Sequence, residues 1–483
     1  MTTLRMLGIS LLAALSALAL SGCTTNPATG RPMVSLVSPQ EEERAGREMH
    51  PQILTEFGRY DDERVQAYVS RVGQSLAPRT ELPNAQWTFT VLDSPIVNAF
   101  ALPGGYVYVT RGLLALAQSE AELASVLGHE MGHVTARHAA QRQTAALGAG
   151  LLGVLVGAVT GSGDLASAGA GTGNALVAGY SRDQEFEADN LGIRYIGRSG
   201  YDVGAAGAFL NRMGEQSRLE AAMMGQPGQV DRYNIMSTHP RTPERVERAA
   251  REARASGATG TRTDRDAYLG AVDGLIYGDS PAQGFARGQR FVHPQLGFGF
   301  EVPAGFRLFN RADSVIAQNP DGSLIVFDGA ANPGSSMAEY LTRSTNGGAG
   351  NVENLRINGF DAAQGTVRGR VSGRPVEGSI VALRFDERTI YRFMFLAPTG
   401  MAGRMSEAFD RTARSFHRLS ENEAAGLRPY RVRVVTVRPG DTERSLAARL
   451  PYPDFQVERF RVLNGLEGPG AVLRPGEKVK IVQ

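Results

Sequence analysis

A multidomain chain of the α+β class is what this sequence predicts, and three observations carry the prediction. At 483 residues the chain is longer than one compact core serves. Up to about residue 277 the apolar spacing is mostly helical, broken by short runs rich in aromatic and β-branched residues. From Phe291 onward short strand-like runs alternate with turns, and from Tyr430 the composition shifts again. The expected divisions are residues 1–22, a tether at 23–37, a mainly helical domain with a small sheet at 38–277, an α+β accessory domain at 285–420 and a small unit at 430–483.

The N-terminus is the first informative segment. Arg5 precedes an uncharged apolar run over residues 6–20, and Leu20-Ser21-Gly22-Cys23 follows. A positive start, a short apolar stretch and small residues before a break predict a secretory signal, and the run is short for a membrane span. Leu20 to Cys23 resembles the bacterial lipobox. That resemblance implies removal of residues 1–22, acylation of Cys23 and anchoring to a membrane; Thr24 in place of aspartate implies the outer membrane, facing the periplasm. Cys23 is the only cysteine, so the chain forms no internal disulfide.

Composition excludes one class of partner. Hydrophobic residues make up 42% and charged residues 21%, ordinary for globular protein. The formal net charge is +2, and no basic tract is interleaved with aromatics, so nucleic acid is not an expected partner.

The elements follow in order. Ser38-Pro39-Gln40-Glu41 predicts a helix start, with Ser as the cap and Pro in the first turn, running to about residue 57. A second helix is expected at 61–76 and strands at 87–92 and 106–110. Between the strands, Asn98-Ala99-Phe100-Ala101-Leu102 ends in Pro103-Gly104-Gly105, which predicts a turn. Ser119 and Glu122 predict a capping box opening a helix to about residue 143. Residues 145–179 are mostly Gly, Ala, Leu and Val with one charge, Asp164, and within them 145–159 reads as a packed helical hairpin over the active site rather than a membrane element. Helices resume near Asp183, Val203 and Pro243. In the accessory domain, strands at 324–327, 378–383 and 391–395 are interrupted by helices at 337–342 and 405–416.

His129-Glu130-Met131-Gly132-His133 carries the chemistry. Residues four apart share one helix face, so both imidazoles can bind one metal ion. Imidazole suits zinc, and two such nitrogens plus one carboxylate leave a fourth position for water. Glu130, beside them, can take a proton from that water and return it to a leaving amine. His138 lies about 180° around a continuous helix from His129 and is not the third ligand. Ala136 and Ala139 stand where the metzincin spacing needs glycine and histidine. Downstream, Glu185 and Asp189 are four apart on another predicted helix. One can ligate the ion while the other orients a histidine from behind; Glu187 points away from that face.

These residues together resemble the CAAX-prenyl-protease and HtpX-like zinc endopeptidases. The similarity covers about residues 35–255 and includes the flanks at Asn98 to Gly105, Tyr180-Ser181-Arg182 and Thr238-His239-Pro240. It implies one zinc per chain held by His129, His133 and Glu185, Glu130 as base and acid, and Asp189 behind a histidine. The branch it most resembles is periplasmic and degrades misfolded or stalled outer-membrane proteins. In that branch a histidine matching His239 lies near the zinc and blocks its open position or stabilises the oxyanion. Asn98, Ala99, Phe100 and Ala101 are read as an edge strand that pairs with an extended substrate backbone.

The tail resembles a LysM glycan-binding module of βααβ form. The matching residues are Val437-Arg438-Pro439-Gly440-Asp441-Thr442, Leu446-Ala447, Leu463-Asn464-Gly465 and Leu473-Arg474-Pro475-Gly476, although Glu443 and Arg444 stand where that pattern usually has apolar or aromatic residues. The resemblance implies peptidoglycan as a partner. Gly297 to Pro303 is faintly similar to PsbP-like modules. The expectation is a lipid-anchored, zinc-dependent endopeptidase of the cell envelope. The alternative is a zinc-containing chaperone or peptidoglycan-binding scaffold without catalysis.

Overall fold

In the computed structural model, the described residues are 23–146, 179–223, 225, 239, 243–311, 313–371, 373–466, 468 and 470–483. The expected signal segment 1–22, Asp164, most of the glycine-rich stretch with its expected hairpin, Thr238 and Pro240 lie outside them. The chain divides into two compact units, Met1–Leu275 with Arg431–Gln483, and Ile276–Tyr430. Among the described residues no helix is long and apolar enough to cross a membrane. Helices and several small sheets make the chain α+β.

The first unit opens with a hairpin of β1 (Cys23–Thr25) and β2 (Pro32–Val34). Helix α1 (Pro39–Phe57) starts at the Ser38–Glu41 capping box. Helix α2 (Glu63–Leu76) is capped by Asp62 and buries Val65, Val69, Val72 and Leu76 along one face. A three-stranded sheet follows, made of β3 (Thr88–Leu92), β4 (Ala99–Leu102) and β5 (Tyr106–Thr110). Strand β5 is central, parallel to β3 and antiparallel to β4, so β4 is an edge. The turn from β4 to β5 uses Gly104 and Gly105 at φ 83 and 91, a region that residues with a Cβ rarely enter.

Helix α3 (Arg111–Leu116) leads to α4 (Glu120–Thr135). Two expectations are corrected here. Ser119 accepts from the Glu122 amide, but the Glu122 carboxylate accepts from the Gln118 amide and the buried Arg212 guanidinium, so the capping box is not reciprocal. Nor does α4 continue to residue 143. It stops at Thr135, Arg137 takes a left-handed conformation at φ 56, and a separate helix begins at 138. Helices α5 (Arg182–Arg198), α6 (Gly204–Met223), α7 (Pro243–Ala255) and α8 (Arg265–Val272) complete this part.

The second unit holds two antiparallel sheets of seven and four strands. Its long central strands are Phe360–Val371, Arg374–Arg384 and Thr389–Pro398. Phe298, Phe300, Phe327, Phe393 and Phe416 form its aromatic core with the helix Ala402–Ser415. The tail adds two antiparallel strands, Tyr430–Thr436 and Lys478–Val482, around the helices Glu443–Ala447 and Gln456–Asn464. That order is βααβ. Glu443, where an apolar residue was expected, is buried against Arg461.

The tail belongs to the first unit. The Lys480 side chain, fully buried, donates to the carbonyls of Ala115, Leu116 and Ala117 at the end of α3, at 2.6, 3.3 and 2.7 Å. Gln118 donates to Leu463 at 2.8 Å.

Candidate metal centre

Close helix packing assembles the site. A Cβ on Gly192 of α5 would come within 2.9 Å of the His129 backbone nitrogen, and one on Gly128 within 3.3 Å of the Gly192 Cα. Glycine at these positions lets α4 and α5 approach nearly backbone to backbone. The face of α4 bearing His129 and His133 therefore meets the first turn of α5, which bears Glu185. Ser181 caps α5 with Gln184 in a reciprocal box, fixing where that turn begins.

One donor atom each from His129, His133, Glu185 and His239 lies within 4.8 Å of all the others. His129 Nε2 and His133 Nε2 are 3.0 Å apart, and each is 3.6 Å from an oxygen of Glu185. His239 Nδ1 stands 2.9 Å from Glu185 and 3.4 Å from His129 Nε2. Nitrogens crowded this closely, with a buried carboxylate, are the donor set that suits a borderline divalent cation such as zinc.

Glu130 supplies a second observation. It is 1% exposed, and among the described residues neither carboxylate oxygen has a hydrogen-bond partner; His239 Nε2 lies 3.7 Å from Oε1. A buried carboxylate left bare is costly unless a cation or ordered water compensates it. The residues present fit a metal site with an acid–base group at its edge.

The supporting shell is charged. Asp189 meets His129 Nδ1 at 2.9 Å, which leaves Nε2 facing the donor cluster. Arg245 of α7 grips Asp189 through two contacts of 2.9 and 2.8 Å and reaches Glu185 at 2.7 Å. Burial pushes the Asp189 carboxyl up, but Arg245 outweighs it and holds the group well below the usual carboxylate range. Glu185 is likewise lowered, burial being overcome by His239 and Arg245. His133 is pushed far down by burial, with His129 adding to the effect. His239 is pushed down by burial yet raised on balance by Glu185 and Glu130.

The structure brings His129, Glu130, His133, Glu185, Asp189 and His239 together. The four residues 98–101 are placed differently from one another. Ala101 lines a cleft of about 400 Å³ that it shares with Leu102, Pro103, His133 and Tyr180. Ala99 is buried, Phe100 stacks on Tyr108 at 4.8 Å, and the buried Asn98 Oδ1 has no partner among the described residues. Cys23 lies in β1.

Three residues around the site were not found by sequence reasoning. Arg245 had a signal, because two acids four apart on one buried face require a nearby cation. His138 and Glu187 were set aside on the premise of one continuous helix. With the break at Arg137, His138 Nδ1 comes within 2.8 Å of His133 Nδ1.

Comparison with known proteins agrees with this geometry. Residues 63–253 match the model of peptidase family M48. Residues 63–253 are a peptidase M48 domain. A putative beta-barrel assembly-enhancing protease of Vibrio cholerae is 34% identical over 192 residues, 37% of this chain and 37% of that protein. Mitochondrial metalloendopeptidase OMA1 of Schizosaccharomyces pombe is 30% identical over 46% of this chain and 63% of its own length. The beta-barrel assembly-enhancing protease of Escherichia coli K12 is 28% identical over 42% of each chain. This chain thus spans between 37% and 63% of the length of these relatives. The M48 match contains His129, His133, Glu185, Asp189, His239 and Arg245.

Proposed function

We propose that this chain is a zinc-dependent endopeptidase that cleaves misfolded or stalled outer-membrane proteins from the periplasmic side. The observation that carries the reading is the buried donor cluster of His129, His133, Glu185 and His239 beside the bare carboxylate of Glu130. The names of its M48 relatives support the substrate class.

His129, His133 and Glu185 would hold one zinc ion. When bound, zinc supplies Lewis acidity that polarises a carbonyl and makes water acidic near neutral pH. Glu130 takes a proton from water at its unpartnered lone pairs and returns it to the departing amine. Asp189 and Arg245 keep His129 and Glu185 oriented. The free edge of β4 offers backbone groups to an extended chain, and the cleft beyond Ala101 receives its side chains. His239, lying among the donors, would stand where water has to bind and would have to withdraw for turnover.

That placement also favours a second reading, a zinc-containing chaperone or scaffold that never opens. Glu130→Gln separates the two. The endopeptidase reading expects the parent to digest a casein-type substrate, chelator to stop it, and Glu130→Gln to lose at least about 100-fold in rate while keeping one zinc. Undiminished digestion by the variant rejects the enzyme reading.

We further propose acylation at Cys23 and outer-membrane anchoring, read by release from membranes in Cys23→Ser. The βααβ tail is proposed as a LysM-like glycan contact, and capture of the full chain on purified sacculi tests it.

A further inference from the structure

His138 and Glu187 have no part in the chemistry described so far, yet they form a hydrogen-bonded chain that ends on a proposed ligand. His133 Nδ1 and His138 Nδ1 are 2.8 Å apart, His138 Nε2 and Glu187 Oε2 are 3.0 Å apart, and Asn26 Nδ2 donates to Glu187 Oε1 at 3.1 Å. His138 is fully buried and His133 nearly so. We infer that His138 and Glu187 are positioning residues that fix the ring orientation and tautomer of His133, and that the N-terminal hairpin holds the pair in place through Asn26. This rests on the zinc reading above.

One assignment of protons satisfies every contact. The Asn26 side-chain oxygen accepts from the Ala28 and Thr29 amides, at 2.9 and 3.3 Å, so its NH₂ is the group turned to Glu187. A carboxylate accepts only, so His138 must carry its proton on Nε2 and leave Nδ1 bare. That bare nitrogen can only accept from His133, which places the His133 proton on Nδ1 and its lone pair on Nε2. Nε2 is the atom 3.0 Å from His129 Nε2 in the donor cluster. The opposite assignment would put a bare nitrogen against the Glu187 carboxylate and a proton on Nε2, where a metal could not bind.

The backbone is bent to make this possible. On an unbroken helix a residue five positions on points about 140° away from the first. Arg137 instead adopts φ 56, a left-handed conformation that is strained for a residue with a β-carbon. Its side chain is fastened to Glu42 and to the Val37 carbonyl, both at 2.6 Å. Those contacts hold the strained turn, and the turn directs His138 back onto His133.

The test is zinc affinity, measured on the full metal-free chain by competition with a chromogenic chelator. His138→Asn and His138→Leu have nearly the same shape, but only asparagine keeps an acceptor near the Nδ1 position. The expected result is binding within about threefold of the parent for His138→Asn and weaker by about 10- to 100-fold for His138→Leu. Should His138→Leu fail to fold by circular dichroism, the half-exposed Glu187 decides, with Glu187→Ala weaker by about tenfold and Glu187→Gln close to the parent. Parent-like affinity in the variants lacking an acceptor overturns the proposal. So does equal loss in the paired variants, which would assign a packing role. A parent that binds no zinc removes the metal reading and this inference with it.

Discussion

Arg245 lies between two buried carboxylates, and its loss should be felt first in the metal-free protein. It contacts Asp189 twice and Glu185 once, with its side chain 3% exposed. Removing one partner of a buried ionic group costs about 3–5 kcal/mol, because the charges left behind have no counterion. Arg245→Leu is therefore expected to lower the thermal midpoint of the metal-free chain by many degrees, and saturating zinc should recover part of the loss by returning positive charge to Glu185. A midpoint shifted equally with and without zinc would show that Arg245 is not electrostatically coupled to the donors. At this scale His129, His133, Glu185 and Asp189 were legible because helical spacing of four maps directly onto a shared face. His138 was not, because a single left-handed residue, Arg137, is invisible to a periodicity argument. His239 is held by contacts to Glu185 and His129 from other elements, so only the family resemblance pointed to it.

Between elements, the distance from α4 to α5 sets the distance between the histidines and Glu185. Gly192 has no room for a Cβ, which would meet the His129 backbone nitrogen at 2.9 Å. Backbone cannot give way as a side chain can. Gly192→Ala should part the two helices and cost about 1–3 kcal/mol as overpacking. It should also weaken zinc binding although every ligand is retained, and a chelator titration beside a thermal melt reads both effects. Normal zinc affinity in a destabilised variant would mean that helix spacing does not govern the donor geometry. The sequence made these helices legible through Ser119 and through the spacing of four in His129/His133 and Glu185/Asp189, and it marked β4 through Pro103-Gly104-Gly105. Their tight crossing was not legible, since a glycine in a helix reads as a weakness until its neighbour is known.

Across the molecule, the second unit is an insertion into the first. The Gly274 amide donates to the Val432 carbonyl at 2.9 Å and the Val432 amide to the Leu275 carbonyl at 2.8 Å, so the chain leaves and re-enters the first unit at one place. The tail then returns to α3, where the Lys480 side-chain nitrogen meets the Ala115, Leu116 and Ala117 carbonyls. Composition marked a change at Tyr430, but a contact between residues 115–117 and 480 joins positions too distant for any local pattern to announce. Adjacent ends make an insertion removable, whereas a buried lysine that closes a helix end makes its segment indispensable. Replacing 276–430 by a short Gly-Ser linker should therefore leave a folded first unit that binds one zinc. Truncation after 430 should instead take the Lys480 donor from the Ala115 and Ala117 carbonyls, leave Leu116 with Gln118 alone, and strip the Leu463 contact from Gln118. Lys480→Met isolates that one interaction within the full chain, and leaving the Ala115 and Ala117 carbonyls without the lysine should cost about 3 kcal/mol. A truncated chain that melts and binds zinc like the parent would make the tail an appendage, and Lys480→Met would then be silent as well.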